Sequence, residues 1–251
     1  MNLTYEQKKQ IFEDGYTVIR GVVPQIMVDS AIKAINHSLG DMGIDPSQLT
    51  KFRAQSYCEE ITHTAPIADL FNKTPALALA ESAIGEGSLN PVTGGQIALR
   101  FPSYADPPPV ARPHLDGMYS PTNGMKEGTI MNFTALVGVI LSDLPAENAG
   151  NFTVWPGTHR IFEKYFQEHG PLALLEGMPK VEMPKPVGVT GRAGDIVIAH
   201  YMLGHGASAN ISPHIRYGIF FRLWHKDQSR DSLETMTDLW KYWPGIREAF
   251  G

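Results

Sequence analysis

The feature that most constrains this chain is a change of texture after Gly85. From there to about residue 223 the sequence becomes a succession of short apolar runs rich in Ile, Val, Phe and Thr, set apart by Gly, Pro and Asn. The runs cover 96–101, 129–141, 151–155, 188–190, 195–199 and 216–223. Segments this short, punctuated this often, predict strands folded into a sandwich or barrel rather than alternating βαβ units. One helical stretch, 157–175, interrupts them.

Upstream the pattern is helical. Thr4 is placed to cap a helix ending at Asp14, with Gln7 three residues on completing a capping box, and Gly15 stops it before an apolar run over 16–23. In a second helix over 25–39, Ile26, Ala31, Ile35 and Leu39 share a face, and a third over 66–84 is broken at Pro75. The tail, 232–250, reads as a last helix whose Trp240, Tyr242 and Trp243 favour packing on the barrel over a dimer contact. At 251 residues with no linker or repeat, one domain is expected: a helical part over 1–85, a strand-rich core over 86–225 and a C-terminal helix over 232–250.

Composition narrows the partners. With 26 acidic against 21 basic residues the net charge is -5, and no run of Lys or Arg offers the footprint that a phosphate backbone needs. Nucleic acid is not expected. The first 15 residues lack an apolar leader core and no stretch is long and apolar enough to span a bilayer, so no membrane association and a cytoplasmic location are expected. The lone Cys58, followed by Glu59 and Glu60, has no partner for an internal disulfide and no cation to activate it, which favours a packed side chain. Monomer and homodimer both stay open.

The chemistry-bearing pattern is His114-Leu115-Asp116. An imidazole and a carboxylate at i and i+2 project from one face of an extended chain and can meet one ion. A distant second histidine would complete a 2-His-1-carboxylate set, which leaves adjacent coordination positions open as non-haem Fe(II) oxygenases require. Among nine histidines such a triplet also arises by accident. The segment 200–216 supplies the candidates for completion: His205 precedes Arg216 by eleven residues, and His200 by sixteen.

Taken with 12–21 (FEDGYTVIRG), with 147–151 (ENAGN) and with 155–160 (WPGTHR), this arrangement resembles the phytanoyl-CoA dioxygenase family of 2-oxoglutarate oxygenases, over about residues 8–225. The resemblance implies a mainly β fold, a double-stranded β-helix (jelly-roll, cupin-like) core with N-terminal helices packed outside. It implies Fe(II) held by His114, Asp116 and His205, with 2-oxoglutarate and O₂ as cosubstrates and a small organic metabolite as substrate. Arg216 would grip the far carboxylate of 2-oxoglutarate, a task suited to a planar guanidinium. Many members place a Ser two residues after the distal His; here Ala207 stands there and the nearest hydroxyl is Ser208. Phe133 stands where an aromatic, often Trp, is usual, and Gln96 on the preceding strand is a further cosubstrate-facing candidate.

Competing assignments stay in view. His200 fits a core or capping histidine better than a ligand, and His159 fits a structural hydrogen bond. Arg222 shares parity with Arg216 and would take the cosubstrate if the register slipped. Arg100, Arg112, Met118 and Tyr119 are the candidates for touching substrate, and the loops 102–112, stiffened by three consecutive prolines, and 117–128 are expected to form the mouth. Asp116 argues against halogenation, because related halogenases carry a small residue in place of that carboxylate. Two rivals remain: a catalytically silent metal-binding jelly roll acting as sensor or scaffold, which would not need Arg216, and a zinc hydrolase, for which no general base stands at a recognisable spacing. Nothing here demands an acyl-CoA, since no basic patch for its phosphates is evident.

Overall fold

The computed structural model describes residues 1–251. The chain opens with α1 (Tyr5–Asp14), β1 (Tyr16–Ile19), α2 (Gln25–Met42), α3 (Leu49–Ala54), α4 (Ala65–Asn72) and α5 (Ala76–Ile84). Then follow β2 (Gln96–Arg100), β3 (Ala135–Ile140), β4 (Phe152–Val154), α6 (Thr158–His169), β5 (Val187–Gly188), β6 (Ile196–His200), β7 (His205–Ala207), β8 (Arg216–Leu223) and α7 (Pro244–Phe250).

Local signals account for many of the boundaries. Thr4 accepts from the Gln7 amide while the Gln7 side chain accepts from the Thr4 amide, and Gly15 ends α1 at φ 84°. Pro75 separates α4 from α5, as its missing N–H requires.

The strands form two antiparallel sheets. One has five strands in the order β1-β6-β3-β8-β2 and the other has three, β5-β4-β7. In the five-stranded sheet the odd residues of β8 and β3, with Ile97 and Leu99 of β2, face the helices and build a core with Val28, Ile35, Ile67, Leu70 and Phe71. The opposite face carries Gln96, Ala98, Arg100, Leu136, Arg216, Phe220 and Arg222 toward the small sheet. Period-two alternation therefore separates a dry helical side from a chemically equipped one.

Three expectations need correction. More residues lie in helix than in strand, so the chain is a set of antiparallel sheets with helices rather than mainly β. The run 129–141 enters its ladder only at Ala135, because residues before it turn toward the C-terminal segment, where the Asn132 amide donates to Arg230 O at 3.1 Å and its carbonyl accepts from the Trp224 indole at 2.9 Å. The expected helix over 232–250 reduces to a single 3₁₀ turn (Glu234–Met236) and the short α7. Trp243 is nonetheless buried in the core, stacked on His200 at 5.4 Å.

His200 and His159 are both enclosed with their rings neutral. Burial pushes the His200 pKa down to about 4, and burial followed by the nearness of His200 pushes His159 well below 6.5. Both groups bind a proton more readily in the unfolded chain, so their stabilising effect is complete above pH 6.5 and is lost as pH falls below it, for His200 through about 4. The His200 shift corresponds to about 3 kcal/mol. Thermal unfolding followed across pH 7.5 to 4.5 should show a steep acid loss in wild type and a shallower one in His200→Gln, and equal slopes would remove His200 from the explanation.

Candidate active site

The metal candidates meet because two backbone segments form a single bridge. The His114 amide donates to His205 O at 2.8 Å and the His205 amide donates to His114 O at 3.1 Å, adding one rung to the outer edge of β7. Directly opposed residues place their side chains on the same face, and the two imidazoles lie 4.4 Å apart between centroids. Asp116, two residues beyond His114, points the same way: its Oδ1 is 3.5 Å from His114 Nε2 and 3.7 Å from His205 Nε2. The three ligand atoms lie within 4.8 Å of one another, a looser cluster than the separation of about 3 Å around an ion bound at about 2.1 Å, which the side chains would reach by drawing together.

Each ligand is prepared by its neighbours. The Leu203 carbonyl lies 2.9 Å from His205 Nδ1, which places the proton there and leaves Nε2 free to ligate. Burial, then the charge of His114, holds the His205 pKa down at about 4, so the ring is neutral at physiological pH. Asp116 Oδ2 accepts from Arg222 Nε at 3.0 Å and from Nη2 at 2.8 Å, while Arg222 Nη1 donates to Gln96 Oε1 at 3.0 Å. Burial pushes the Asp116 carboxyl pKa up, but the Arg222 guanidinium, a hydrogen bond from His114 and the neighbouring imidazoles outweigh it and hold the carboxyl well below the usual carboxylate range. One oxygen is thus occupied by Arg222, and the other is turned to the histidines.

After Asp116 the chain leaves through Gly117 at φ +88°, where an added Cβ would lie 1.8 Å from Met131 O. The Met131 amide donates to Gly117 O at 3.2 Å, so the loop between them closes at its neck. Within it, Asn123 Nδ2 donates to Met118 O and Asn123 Oδ1 accepts from the Ser120 and Met125 amides, which gives this polar loop a fixed shape.

A cavity of about 350 Å³ runs from the metal candidates to Arg216. Phe152 and Phe220, 5.3 Å apart, wall it beside His205 together with Leu136 and Ala98. Arg216 is 5% exposed; its Nε donates to Gly150 O at 2.7 Å and Nη1 to Ala98 O at 3.0 Å, and no carboxylate pairs with it. Burial, then the charge of Arg100, pushes its pKa down to about 9, which leaves it protonated at neutral pH. A buried cation without a counterion, at one end of a cavity whose other end carries three metal-ligand groups, fits a chelating dicarboxylate.

Of the remaining sequence candidates, Gln96, Arg100, Met118 and Tyr119 line this cavity. Three do not. Phe133 packs behind Arg222, between Tyr201 and Trp224 at 5.6 and 6.0 Å. Ser208 faces away because residues 205 and 207 are the inward pair of β7, and its hydroxyl is taken up with Asn151 and Ala209. Arg112 is absent from the lining, with its carbonyl against Gly206. His200 belongs to the aromatic cluster, its Nε2 3.0 Å from Leu239 O. Sequence reasoning weighed Arg222 only as an alternative cosubstrate anchor and missed Arg53, Phe152 and Phe220. The shared parity of 216, 220 and 222 was the available signal for Phe220 and Arg222.

The model of the phytanoyl-CoA dioxygenase (PhyH) family matches residues 11–218. Among curated proteins none matches the chain in sequence. Solved structures share its fold. SnoK, a non-haem alpha-ketoglutarate-dependent carbocyclase from nogalamycin biosynthesis, is 20% identical with a TM-score of 0.57, covering 93% of this chain and 90% of its own. HygX from Streptomyces hygroscopicus, with nickel, 2-oxoglutarate and hygromycin B bound, is 17% identical with a TM-score of 0.59, covering 91% and 90%. EctD from S. alaskensis, with 2-oxoglutarate and 5-hydroxyectoine, is 17% identical with a TM-score of 0.57, covering 89% and 76%. With the family model spanning most of its length, the chain belongs to the phytanoyl-CoA dioxygenase family of Fe(II)- and 2-oxoglutarate-dependent oxygenases.

Proposed function

We propose that this oxygenase hydroxylates, or otherwise oxidises, a small organic metabolite in the cavity between the two sheets, with His114, Asp116 and His205 as iron ligands and Arg216 as the anchor of 2-oxoglutarate. The observation that carries this reading is the pairing, in one cavity, of three convergent ligand groups with a buried unpaired guanidinium. The facing of the two sheets supports a jelly-roll core acting as a single domain, and the lone Cys58 suits a cytoplasmic setting. A silent sensor would have no use for Arg216.

Bound iron, 2-oxoglutarate and O₂ together supply the oxidising power, releasing succinate and CO₂ as the substrate gains oxygen. The chain's own residues hold and shield. His205 offers Nε2 because Leu203 fixes its proton on Nδ1, and Asp116 offers one oxygen because Arg222 holds the other. Arg216 receives the far carboxylate, with Gly150 and Ala98 aiming its guanidinium. Phe152, Phe220 and Leu136 keep water from the centre of the cavity. Met118 and Tyr119 stand at the mouth, where substrate enters.

Succinate release with iron and 2-oxoglutarate tests the reading at once. Asp116→Ala should abolish it, and full retained turnover would sink the ligand assignment. Loss of a charge-assisted contact in a buried site costs about 2 to 5 kcal/mol, so Arg216→Ala should raise the 2-oxoglutarate KM at least about thirtyfold. An unchanged KM in that variant, with a raised one in Arg222→Ala, would transfer the anchor to Arg222. Arg222→Gln should weaken Ni(II) or Fe(II) binding by about 10- to 100-fold, measured by calorimetry, and wild-type metal affinity would refute its part in orienting Asp116.

A further inference from the structure

The end of the cavity away from the metal candidates has an excess of hydrogen-bond donors. Arg216 and Arg100 are direct cross-strand partners in β8 and β2, and the close approach of Gly150 to both Cβ atoms keeps them side by side. Arg53, on the last turn of α3, lines the same cavity. No ion pair in the structure involves any of the three. Like charges directly opposed across a ladder are destabilising unless an anion intervenes. The Tyr57 hydroxyl, on a side chain only 1% exposed, lacks any hydrogen-bond partner and lies near enough to Arg100 and Arg216 to influence both.

One carboxylate does not satisfy this group. A guanidinium carries about five N–H donors and a carboxylate offers about four acceptor sites. Arg216 commits two contacts to backbone carbonyls and Arg100 one, to Leu99 O, while Arg53 makes none. After the far carboxylate of 2-oxoglutarate has taken Arg216, most of the donors of the half-buried Arg100 are still unmatched, and Arg53, exposed at the rim of the cavity, stands beside it with no protein partner of its own. This side of the cavity adjoins the loop at the mouth: Gln55, two residues after Arg53, donates from Nε2 to Thr122 O at 2.7 Å, and Ser120 and Asn123 line the cavity next to it.

We infer that the substrate is an anionic metabolite whose oxyanion, a carboxylate or a phosphate, is held by Arg53 and Arg100 beside the cosubstrate. The inference rests on the reading of Arg216 as the 2-oxoglutarate anchor. A cavity of about 350 Å³ limits the substrate to a small molecule, and the anionic end directs the rest of it past Met118 and Tyr119 toward the metal candidates.

Two successive titrations of the Ni(II)-loaded protein, in low salt under calorimetry, test it. The first adds 2-oxoglutarate; absence of binding there would overturn the proposed function itself. The second adds inorganic phosphate or acetate to the 2-oxoglutarate-saturated protein. One further saturable anion per chain is expected, and whichever of the two binds more tightly identifies the oxyanion. Arg53→Gln and Arg100→Gln should each weaken it about tenfold or more. In Arg53→Gln the 2-oxoglutarate affinity should stay within about threefold of wild type. No second anion, an anion that displaces 2-oxoglutarate, or one that binds both variants as tightly as wild type would each overturn the inference. An independent check is a screen of metabolites for mass gain of one oxygen: the compounds turned over should carry a carboxylate or phosphate, and turnover confined to neutral or cationic compounds would refute it.

Discussion

A carboxylate enclosed by protein needs a cation, and in this structure the contact between Asp116 and Arg222 meets that need. Much of the site follows from it. Arg222 stands at the far end of β8, so that strand must present its even residues to the cavity, and Arg216 and Phe220 come with it. The other branch of the guanidinium reaches Gln96 and ties β2 to the same centre. Because Arg222 takes one oxygen of Asp116 through two of its nitrogens, the carboxylate meets the histidines through the other oxygen alone. On the proposed reading, a metal held there would keep its remaining coordination positions open. The pair therefore serves geometry as much as stability: removal of Arg222 would leave a largely enclosed carboxylate unpaired, at a cost of up to about 3 to 5 kcal/mol, whereas Arg222 keeps contact with solvent.

The division of labour between the two faces of the large sheet is the second organising constraint. Its outer face packs on α2, α4 and α5 through mostly apolar side chains, with a core that supplies rigidity and a hydrogen bond from the Tyr217 hydroxyl to Asn36 of α2 near its margin. The inner face, freed from that task, carries four arginine-lined or polar positions without collapsing. Ligand-bearing segments then lie at the edge, where a single backbone bridge fixes His114 against His205 and every longer-range element is already anchored. Such support is what holds ligands within the tolerance that a metal centre demands.

How much of this was legible in the sequence depended on the range of the interaction. The capping box at Thr4, the break at Pro75 and the run 216–223 rest on neighbours a few residues apart, and each could be read directly. The i, i+2 relation of His114 and Asp116 was likewise visible, because strand geometry converts spacing into direction, whereas the spacing of His205 and Arg216, which lie on different strands, was legible only through the family resemblance. Arg222 as partner of Asp116 was not, since 106 residues separate them and no local pattern encodes the pairing. Nor was β7, whose three residues centred on Gly206 have no apolar alternation, or α3, whose six residues carry Arg53 into the cavity wall. Ser208 and Phe133 show the opposite failure. Resemblance gave each a role that one step of parity, in the first case, and the packing behind Arg222, in the second, turned away from the cavity.

The closed neck between Gly117 and Met131 bears on how an enzyme of this kind changes its diet. The backbone contact pins both ends of the loop, and Asn123 organises its middle without help from the sheets. The loop is thus a module: its side chains can be exchanged as a set while the carboxylate one residue before the neck stays in register. Gly117 is the hinge pin of that arrangement, with no room even for a methyl group. On the proposed function, selection for a new compound can therefore act on the dozen or so positions inside the neck with little penalty at His114, Asp116 and His205, and a lineage carrying this architecture can diversify in substrate far faster than in chemistry.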